Sequence, residues 1–136
     1  MKRLLNILIS PQLRFGSAAV VFLAIIGASM FRSFGWYLDD IYWFEYGLGG
    51  DKVAHFLMGS IFMILGFWVL LPRNYKEVTR IFLAVLAFLA IEEALQTFSP
   101  TRVTNIGDFA IGAFGATFIY SFWLTCEVWA KEKRLD

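Results

Sequence analysis

Long apolar stretches separated by short polar segments run through the whole chain. Four of these stretches are 17 to 22 residues long, and they cover residues 15–31, 53–71, 81–98 and 108–129. An α-helix rises about 1.5 Å per residue, so a stretch of this length matches the hydrocarbon thickness of a bilayer. The pattern therefore predicts an all-α integral membrane protein, a four-transmembrane-helix bundle that forms a single domain over residues 1–136.

The segment between the first two predicted spans combines aromatic and acidic residues. Seven aromatic residues alternate here with Asp39, Asp40 and Glu45. Trp and Tyr favour the headgroup zone, where the ring stays apolar while its polar tip meets water. We therefore expect an interfacial aromatic segment, folded as a short helix along the membrane surface. Of the other connections, residues 73–80 are predicted to form a polar turn and residues 98–107 a loop.

The chain begins with a basic and apolar arm over residues 1–10, which Pro11 ends because proline cannot continue a helix interior. A basic start followed by an apolar run is also typical of a secretory signal. The apolar run is long for a signal, however, and three further spans follow it. We therefore predict that this run is kept as the first span.

Positive charges are concentrated on one side of the predicted bundle. Nine of the twelve Lys and Arg residues fall in the amino-terminal arm up to Arg14, in the polar turn and in the carboxy-terminal tail. Arg32, Lys52 and Arg102 fall on the other side. Because cytoplasmic loops carry the excess of Lys and Arg, both termini are predicted to be cytoplasmic. The aromatic segment and the last loop then face outward.

Composition agrees with a membrane protein and argues against several other classes. The chain is 59% hydrophobic, and its mean hydropathy of +0.64 is high for an ordinary soluble domain. The single cysteine, Cys126, excludes an intramolecular disulfide, and no Cys/His motif has zinc-site spacing. The net charge of +1 gives no reason to expect a nucleic-acid partner. No cofactor is predicted.

The fourth predicted span opens with small residues. Gly112 and Ala116 are four residues apart and form a small-xxx-small pair, which permits close approach of another helix. This contact can form within one chain or between two chains, so the oligomeric state stays open.

Unusual polar residues converge at the outer face of this topology. Asp51, Lys52 and His55 open the second span, and Asp51 and His55 share one helical face because they are four residues apart. Further polar residues come from the end of the third span, the last loop and the start of the fourth span: Glu92, Glu93, Gln96, Arg102 and Asp108. Ionisable groups at membrane depth are costly without partners. The sequence therefore predicts an outward-facing polar site.

Each residue type in this group suits a particular role. His55 is the only histidine and can act as a general base or proton carrier near neutral pH, with Glu93 as an acid or base. The planar guanidinium of Arg102 can hold a phosphate or carboxylate. The candidate catalytic residues are therefore His55 and Glu93, and the candidate ligand-binding residues are Asp51, Lys52, Gln96, Arg102 and Asp108.

Structural roles stay open for the same residues. Asp51 and Asp108 each lie at a helix start, where an acidic side chain can cap the helix and is stabilised by the helix dipole. The side chain of Lys52 can simply reach the lipid headgroups. Glu92 and Glu93 point about 100° apart, so we expect one to face the bundle and the other the headgroups. Pairing of these glutamates with a nearby base is the structural alternative. A metal site that joins His55 to carboxylates lacks a spacing signature, and no metal ligand is predicted.

Four short motifs, in this order, resemble the VanZ-like family of small membrane proteins. They are Asp-Lys-x-x-His at residues 51–55, Glu-x-x-Gln at 93–96, Pro-x-Arg at 100–102, and an Asp followed by a Gly at Asp108 and Gly115. The resemblance covers roughly residues 50–116, and Gly112 stands where the family typically has Asn. The family is named for a protein linked to resistance to teicoplanin, a lipoglycopeptide antibiotic that acts at the outer membrane surface. The resemblance therefore implies a multi-pass protein of the bacterial plasma membrane.

Two functions of different classes are compatible with this sequence. The first is a cell-envelope protein whose polar site binds a lipid headgroup, a glycopeptide antibiotic or a wall precursor, with a role in teicoplanin-type antibiotic resistance. The alternative is a membrane enzyme that modifies a lipid-linked envelope substrate, with His55 as general base and Arg102 and Lys52 stabilising a phosphate. No dedicated nucleophile is evident, which weakens the second function. A transporter has less support, because the polar residues lie at one end of the bundle only.

Overall fold

The computed structural model describes residues 10–133, so most of the predicted amino-terminal arm and the last three residues lie outside it. Five α-helices follow one another along this range: α1 (Pro11–Ser33), α2 (Leu38–Leu48), α3 (Asp51–Leu70), α4 (Tyr75–Leu95) and α5 (Ile106–Glu132). A 3-10 turn, Gln96–Phe98, extends α4. No residue between 10 and 133 forms a strand, and the predicted all-helical fold class is confirmed.

The four long helices run alternately in opposite directions. At one end, Arg32 near the end of α1 lies 2.8 Å from Asp51 at the start of α3. At the same end, Lys52 in α3 contacts Asp108 in the first turn of α5. At the opposite end, Arg14 near the start of α1 donates to a backbone carbonyl near the end of α3. We call the end where α1 and α4 finish and α3 and α5 begin the polar end.

Among the described helices, α1, α3 and α5 are long and apolar enough to cross a membrane. The fourth long helix, α4, has a similar length of 21 residues but is not one of these three. Charged residues enter α4 at both of its ends, as at Lys76 and Glu93. Length and composition therefore fit a membrane protein with three candidate spans.

Helix α4 begins inside the segment predicted to be a polar turn, because that segment contains a helix-start signal. The Oδ1 atom of Asn74 accepts the backbone N–H of Glu77 at 3.1 Å. The Glu77 carboxylate in turn accepts the backbone N–H of Arg73 at 2.7 Å. Asn followed by Glu three residues later satisfies amide groups that a helix start leaves unpaired. The predicted turn at 73–80 is therefore wrong over most of its length.

Helices α3 and α5 cross at very close range through glycines. A Cβ atom placed on Gly59 would lie 1.9 Å from the Gly112 carbonyl oxygen, and one on Gly115 would lie 2.1 Å from the Phe56 carbonyl oxygen. Only a residue without a side chain permits this approach. Ala116, next to these glycines, is fully buried. The close contact predicted for Gly112 and Ala116 is confirmed, and its partner is α3 of the same chain.

Helix α1 packs on the outside of the other three long helices. The Phe22 ring lies 5.8 Å from the Phe62 ring of α3 and 5.6 Å from the Phe88 ring of α4, measured between centroids. The Phe62 and Phe88 rings pack edge to face, with 4.9 Å between their centroids. Most of α1 away from this aromatic cluster is exposed, as at Val20 and Leu23. This loose packing leaves room between α1 and α3 near the polar end.

The aromatic segment between α1 and α3 forms a short helix, as predicted. In this helix, α2, the side chains of Trp43 and Tyr46 are 78% and 86% exposed. Gly49 and Gly50 connect α2 to α3 with φ angles of 104° and 99°, a backbone conformation that glycine adopts without a Cβ clash. This tight turn brings α2 next to the start of α3 and to the polar residues there.

Candidate functional site

A cavity of about 550 Å³ opens at the polar end between α1, α2 and α3. Apolar side chains from these helices form much of its wall: Ile25, Ile41, Phe44, Leu57, Met58 and Ile61. Ionisable side chains also line the cavity: Arg32, Asp40, Glu45, Asp51, His55, Glu92 and Arg102. We call this space the polar-end cavity. Its volume and its mixture of apolar and polar groups are typical of small-molecule sites.

The sequence pattern does not predict Arg32 or Glu45 as site residues, but both lie in the cavity wall. The Arg32 Nη1 atom is 2.6 Å from Glu45 Oε1 and 2.8 Å from Asp51 Oδ1. Burial raises the pKa of the Glu45 carboxyl above its ordinary value, and the positive charge of Arg32 opposes that rise. The bridge ties α2 to α1 and α3. The available signal in the sequence was the charge complementarity between the arginine that ends α1 and the acidic segment after it.

Arg102 reaches the cavity from the loop before α5 and is paired there within the protein. Its Nη1 atom lies 3.1 Å from Glu92 Oε1 and donates to Ser29 Oγ at 3.0 Å. Ser29 donates to the same Glu92 oxygen at 2.7 Å, and Gln96 donates to the other at 2.9 Å. The side chains of Arg102 and Glu92 are only 7% and 11% exposed. The structural alternative of a glutamate paired with a base is therefore realised at Glu92.

Glu93 lies buried behind the cavity and is not part of its wall. Its Oε1 atom accepts the backbone N–H of Asn105 at 2.6 Å, and its Oε2 atom accepts from Gln96 at 3.2 Å. These bonds join the end of α4 to the segment that leads into α5. The expectation that one glutamate faces the headgroups is wrong, because Arg102 draws Glu92 inward while the Asn105 amide holds Glu93.

Asp108 is paired with a lysine and does not cap its own helix. Its Oδ1 atom accepts from Lys52 Nζ, and the Asp108 side chain is 8% exposed while that of Lys52 is 53% exposed. The residue before α5, Asn105, supplies the side-chain oxygen that accepts the Gly107 N–H at 2.9 Å. Asp108 keeps the first-turn position that favours the helix dipole. In place of a capping hydrogen bond, its side chain forms an ion pair between the first turns of α3 and α5.

His55 lies where these groups meet. The residue is 6% exposed, and its Nε2 atom is 3.6 Å from Asp51 Oδ1, beyond hydrogen-bond distance. No group between residues 10 and 133 forms a hydrogen bond with its imidazole. Carboxylates surround it in two groups whose oxygen atoms come within 4.8 Å of the imidazole and of one another: Asp51 with Asp108, and Glu92 with Glu93. Either group could hold a metal ion together with His55.

The polar end carries more negative than positive charge. Six carboxylates are grouped there, from Asp40, Glu45, Asp51, Glu92, Glu93 and Asp108, together with three permanent cations, from Arg32, Lys52 and Arg102. With a neutral His55, the group therefore has an excess of three negative charges. Such an excess in a largely buried setting favours a cation or a proton.

The structure brings all the predicted site residues to one end of the bundle, but it divides them between two layers. Asp51, His55 and Arg102 line the polar-end cavity. The remaining four, Lys52, Glu93, Gln96 and Asp108, lie behind it and connect α3, α4 and α5. No family model, no curated protein and no solved structure matches this chain.

Proposed function

We propose that this chain is a VanZ-like membrane protein of the bacterial cell envelope, which binds an amphiphile in the polar-end cavity. The observation that carries the proposal is the cavity itself, because apolar side chains and charged side chains line one space of about 550 Å³. An amphiphile would place its tail against Ile25, Met58 and Ile61 and its headgroup near His55 and Arg102. Membrane lipids, lipid-linked wall precursors and lipoglycopeptide antibiotics all have this two-part chemistry.

The proposal includes four membrane spans with both termini in the cytoplasm. Helix α4 packs against α3 and α5 along one face, and its deep carboxylates are paired, which lowers the cost of placing them at membrane depth. The uneven distribution of Lys and Arg supports the same orientation. The polar end then faces outward, where wall precursors and antibiotics are found. The convergence of the four VanZ-like motifs at this end is consistent with membership of the family.

A membrane enzyme is the second candidate, and His55 is the observation that favours it. A buried imidazole without a hydrogen-bond partner, on the wall of a cavity, is available to take a proton from a bound substrate. Residues that could attack a substrate are less well placed. Cys126 is exposed far along α5, and the Ser29 hydroxyl already donates to Glu92. Binding is therefore the better supported function.

Filling the cavity tests the binding function directly. Ala28 lines the cavity, so Ala28→Trp would occupy space that a lipid tail needs. Ala24, one turn away on α1, does not line it, so Ala24→Trp is the matched control. Native mass spectrometry of the detergent-purified protein with added phospholipid should show a bound lipid for the wild type and for Ala24→Trp. The lipid should be lost or strongly reduced for Ala28→Trp, and equal retention by both variants would contradict the proposal.

A further inference from the structure

A histidine and two aspartates from two helices converge beside the polar-end cavity. One potential ligand atom from each of Asp51, His55 and Asp108 lies within 4.8 Å of the other two. Asp51 and His55 are one turn apart on α3, so both side chains point to the same side, and Asp108 comes from the first turn of α5. We propose that these three side chains bind one divalent transition-metal ion of the Zn²⁺ or Mn²⁺ class.

The imidazole of His55 has a nitrogen lone pair that no protein group uses. The residue is 6% exposed, and neither ring nitrogen forms a hydrogen bond with a group between residues 10 and 133. The imidazole lines the polar-end cavity, so a cation in this space can reach it. The closest carboxylate belongs to Asp51, whose Oδ1 atom lies 3.6 Å from His55 Nε2 and is held by Arg32. A cation between the imidazole and the other oxygen of this carboxylate would give the imidazole a partner.

Each of the two aspartates has one oxygen held by a cation and one oxygen left over. Arg32 holds Asp51 Oδ1 at 2.8 Å, and Lys52 holds Asp108 Oδ1. Neither Oδ2 atom accepts a hydrogen bond from the described part of the chain. Groups that bind the far oxygen of a metal-ligating carboxylate fix its orientation and support metal binding. Arg32 and Lys52 are placed to act on the two aspartates in this way.

The second carboxylate group around His55 is a weaker candidate, because its oxygens are all in use. Glu92 accepts from Arg102 and Ser29 on one oxygen and from Gln96 on the other. Both Glu93 oxygens also accept hydrogen bonds. An ion on this side would have to displace several of these bonds. His55 belongs to both groups, so one ion is expected, on the side of Asp51 and Asp108.

The charge of the polar end agrees with a divalent ion. The group of six carboxylates and three permanent cations described above has an excess of three negative charges when His55 is neutral. A metal ligand must be a neutral imidazole or an ionised carboxylate, which is the state that this count assumes. One divalent ion would cancel most of the excess. Repulsion from Arg32 and Lys52 is offset because each is already paired with a carboxylate.

The donor set indicates the kind of ion. Imidazole suits Zn²⁺ and other transition metals, carboxylates suit Mn²⁺, and Mg²⁺ and Ca²⁺ prefer sites with oxygen ligands only. Ligand atoms bonded at about 2.0–2.2 Å to a tetrahedral ion are roughly 3.5 Å apart, so atoms that already lie within 4.8 Å of one another need only small inward shifts. Three protein ligands would leave at least one position open for water or a ligand in the cavity.

The test uses the full chain, purified in detergent, stripped of metal and titrated with Zn²⁺ or Mn²⁺ without added lipid. Calorimetry should show one ion per wild-type chain, and His55→Gln or Asp108→Asn should weaken binding by about 100-fold. Asp39→Asn, at an exposed aspartate of α2 that belongs to neither carboxylate group, should bind as the wild type does. Absence of stoichiometric binding to the wild type, or unchanged binding to His55→Gln, would overturn the proposal.

A spectroscopic measurement on the wild type alone covers the case of a variant that fails to fold. Pulsed electron paramagnetic resonance of bound Mn²⁺ should show coupling to an imidazole nitrogen, and His55 is the only source of one. Bound Mn²⁺ without this coupling would overturn the proposal. The metal titration contains no added lipid, so a failure to bind metal would not change the lipid retention measured in the cavity-filling experiment. Conversely, a failure to retain lipid in that experiment would not change the result of the metal titration.

Discussion

Each buried charge at the polar end depends on a partner from another part of the fold. Arg102 comes from the last loop and Glu92 from α4, and their side chains are almost completely withdrawn from solvent. Transferring two charges from water into such a setting is costly, and their attraction only offsets that cost when both are present. Removal of one partner should therefore destabilise the folded protein more than removal of both.

Substitution of Glu92 tests this dependence. We expect Glu92→Ala to destabilise the protein by about 3 kcal/mol, because it leaves Arg102 charged, buried and unpaired. The double variant Glu92→Met with Arg102→Met should recover most of that loss. Thermal unfolding in detergent, followed by tryptophan fluorescence, measures both, with Asp39→Ala at an exposed position of α2 as the control. A double variant that melts below Glu92→Ala would contradict the account.

At the level of single residues, the sequence predicted the location of the site better than its pairings. The helical pattern and the charge distribution were sufficient to bring residues as distant in sequence as Lys52 and Asp108 to one end. The partner of each charge depends on side-chain directions and on how α2 folds back, which a one-dimensional pattern does not contain. For this reason the bridge from Arg32 to Glu45 and the inward turn of Glu92 were not predicted.

At the level of helices, the crossing of α3 and α5 determines the distance between the site residues that each helix carries. Gly59 and Gly115 allow backbone to approach backbone, and the ion pair of Lys52 with Asp108 lies toward the polar end of the same contact. The sequence indicated the α5 side of this contact from its small residues. It did not indicate Gly59, because a single glycine within an apolar run has no spacing signal.

Alanine substitution of glycines tests the crossing. Gly59→Ala should lower stability by about 1–3 kcal/mol, because the added Cβ atom would overlap the carbonyl oxygen of Gly112 and force the helices apart. Gly27 lies within α1, and a Cβ atom there would meet nothing within 4 Å. Gly27→Ala is therefore the matched control and should leave stability unchanged or slightly higher. Thermal unfolding in detergent compares the two, and equal melting temperatures would contradict the proposed contact.

At the level of the whole molecule, the alternating helices give the bundle two chemically different ends. One end contains the cavity and the buried ion pairs. Toward the other end lie the capped start of α4 and the end of α5. The proposed orientation, with the polar end outward, depends on the charge distribution along the sequence and on the treatment of α4 as a span.

Cysteine accessibility in intact cells tests this orientation. Val103 lies in the loop at the polar end and is 87% exposed, whereas Lys133 follows α5 at the other end. In a Cys126→Ala background, Val103→Cys should react with a membrane-impermeant maleimide added outside the cells. Lys133→Cys should react only after the membrane is permeabilised. Labelling of Lys133→Cys in intact cells, with Val103→Cys protected, would reverse the proposed topology.

We propose that an amphiphile occupies the polar-end cavity. The most direct measurement is cross-linking in native membranes with a phospholipid whose photoreactive group lies in the upper part of its tail, followed by mapping of the adducts by mass spectrometry. The account predicts adducts concentrated on the cavity wall around Ile25 and Met58, and depleted there by Ala28→Trp. Adducts spread evenly over outward-facing residues such as Val20 and Phe122, with no enrichment in the cavity, would contradict it.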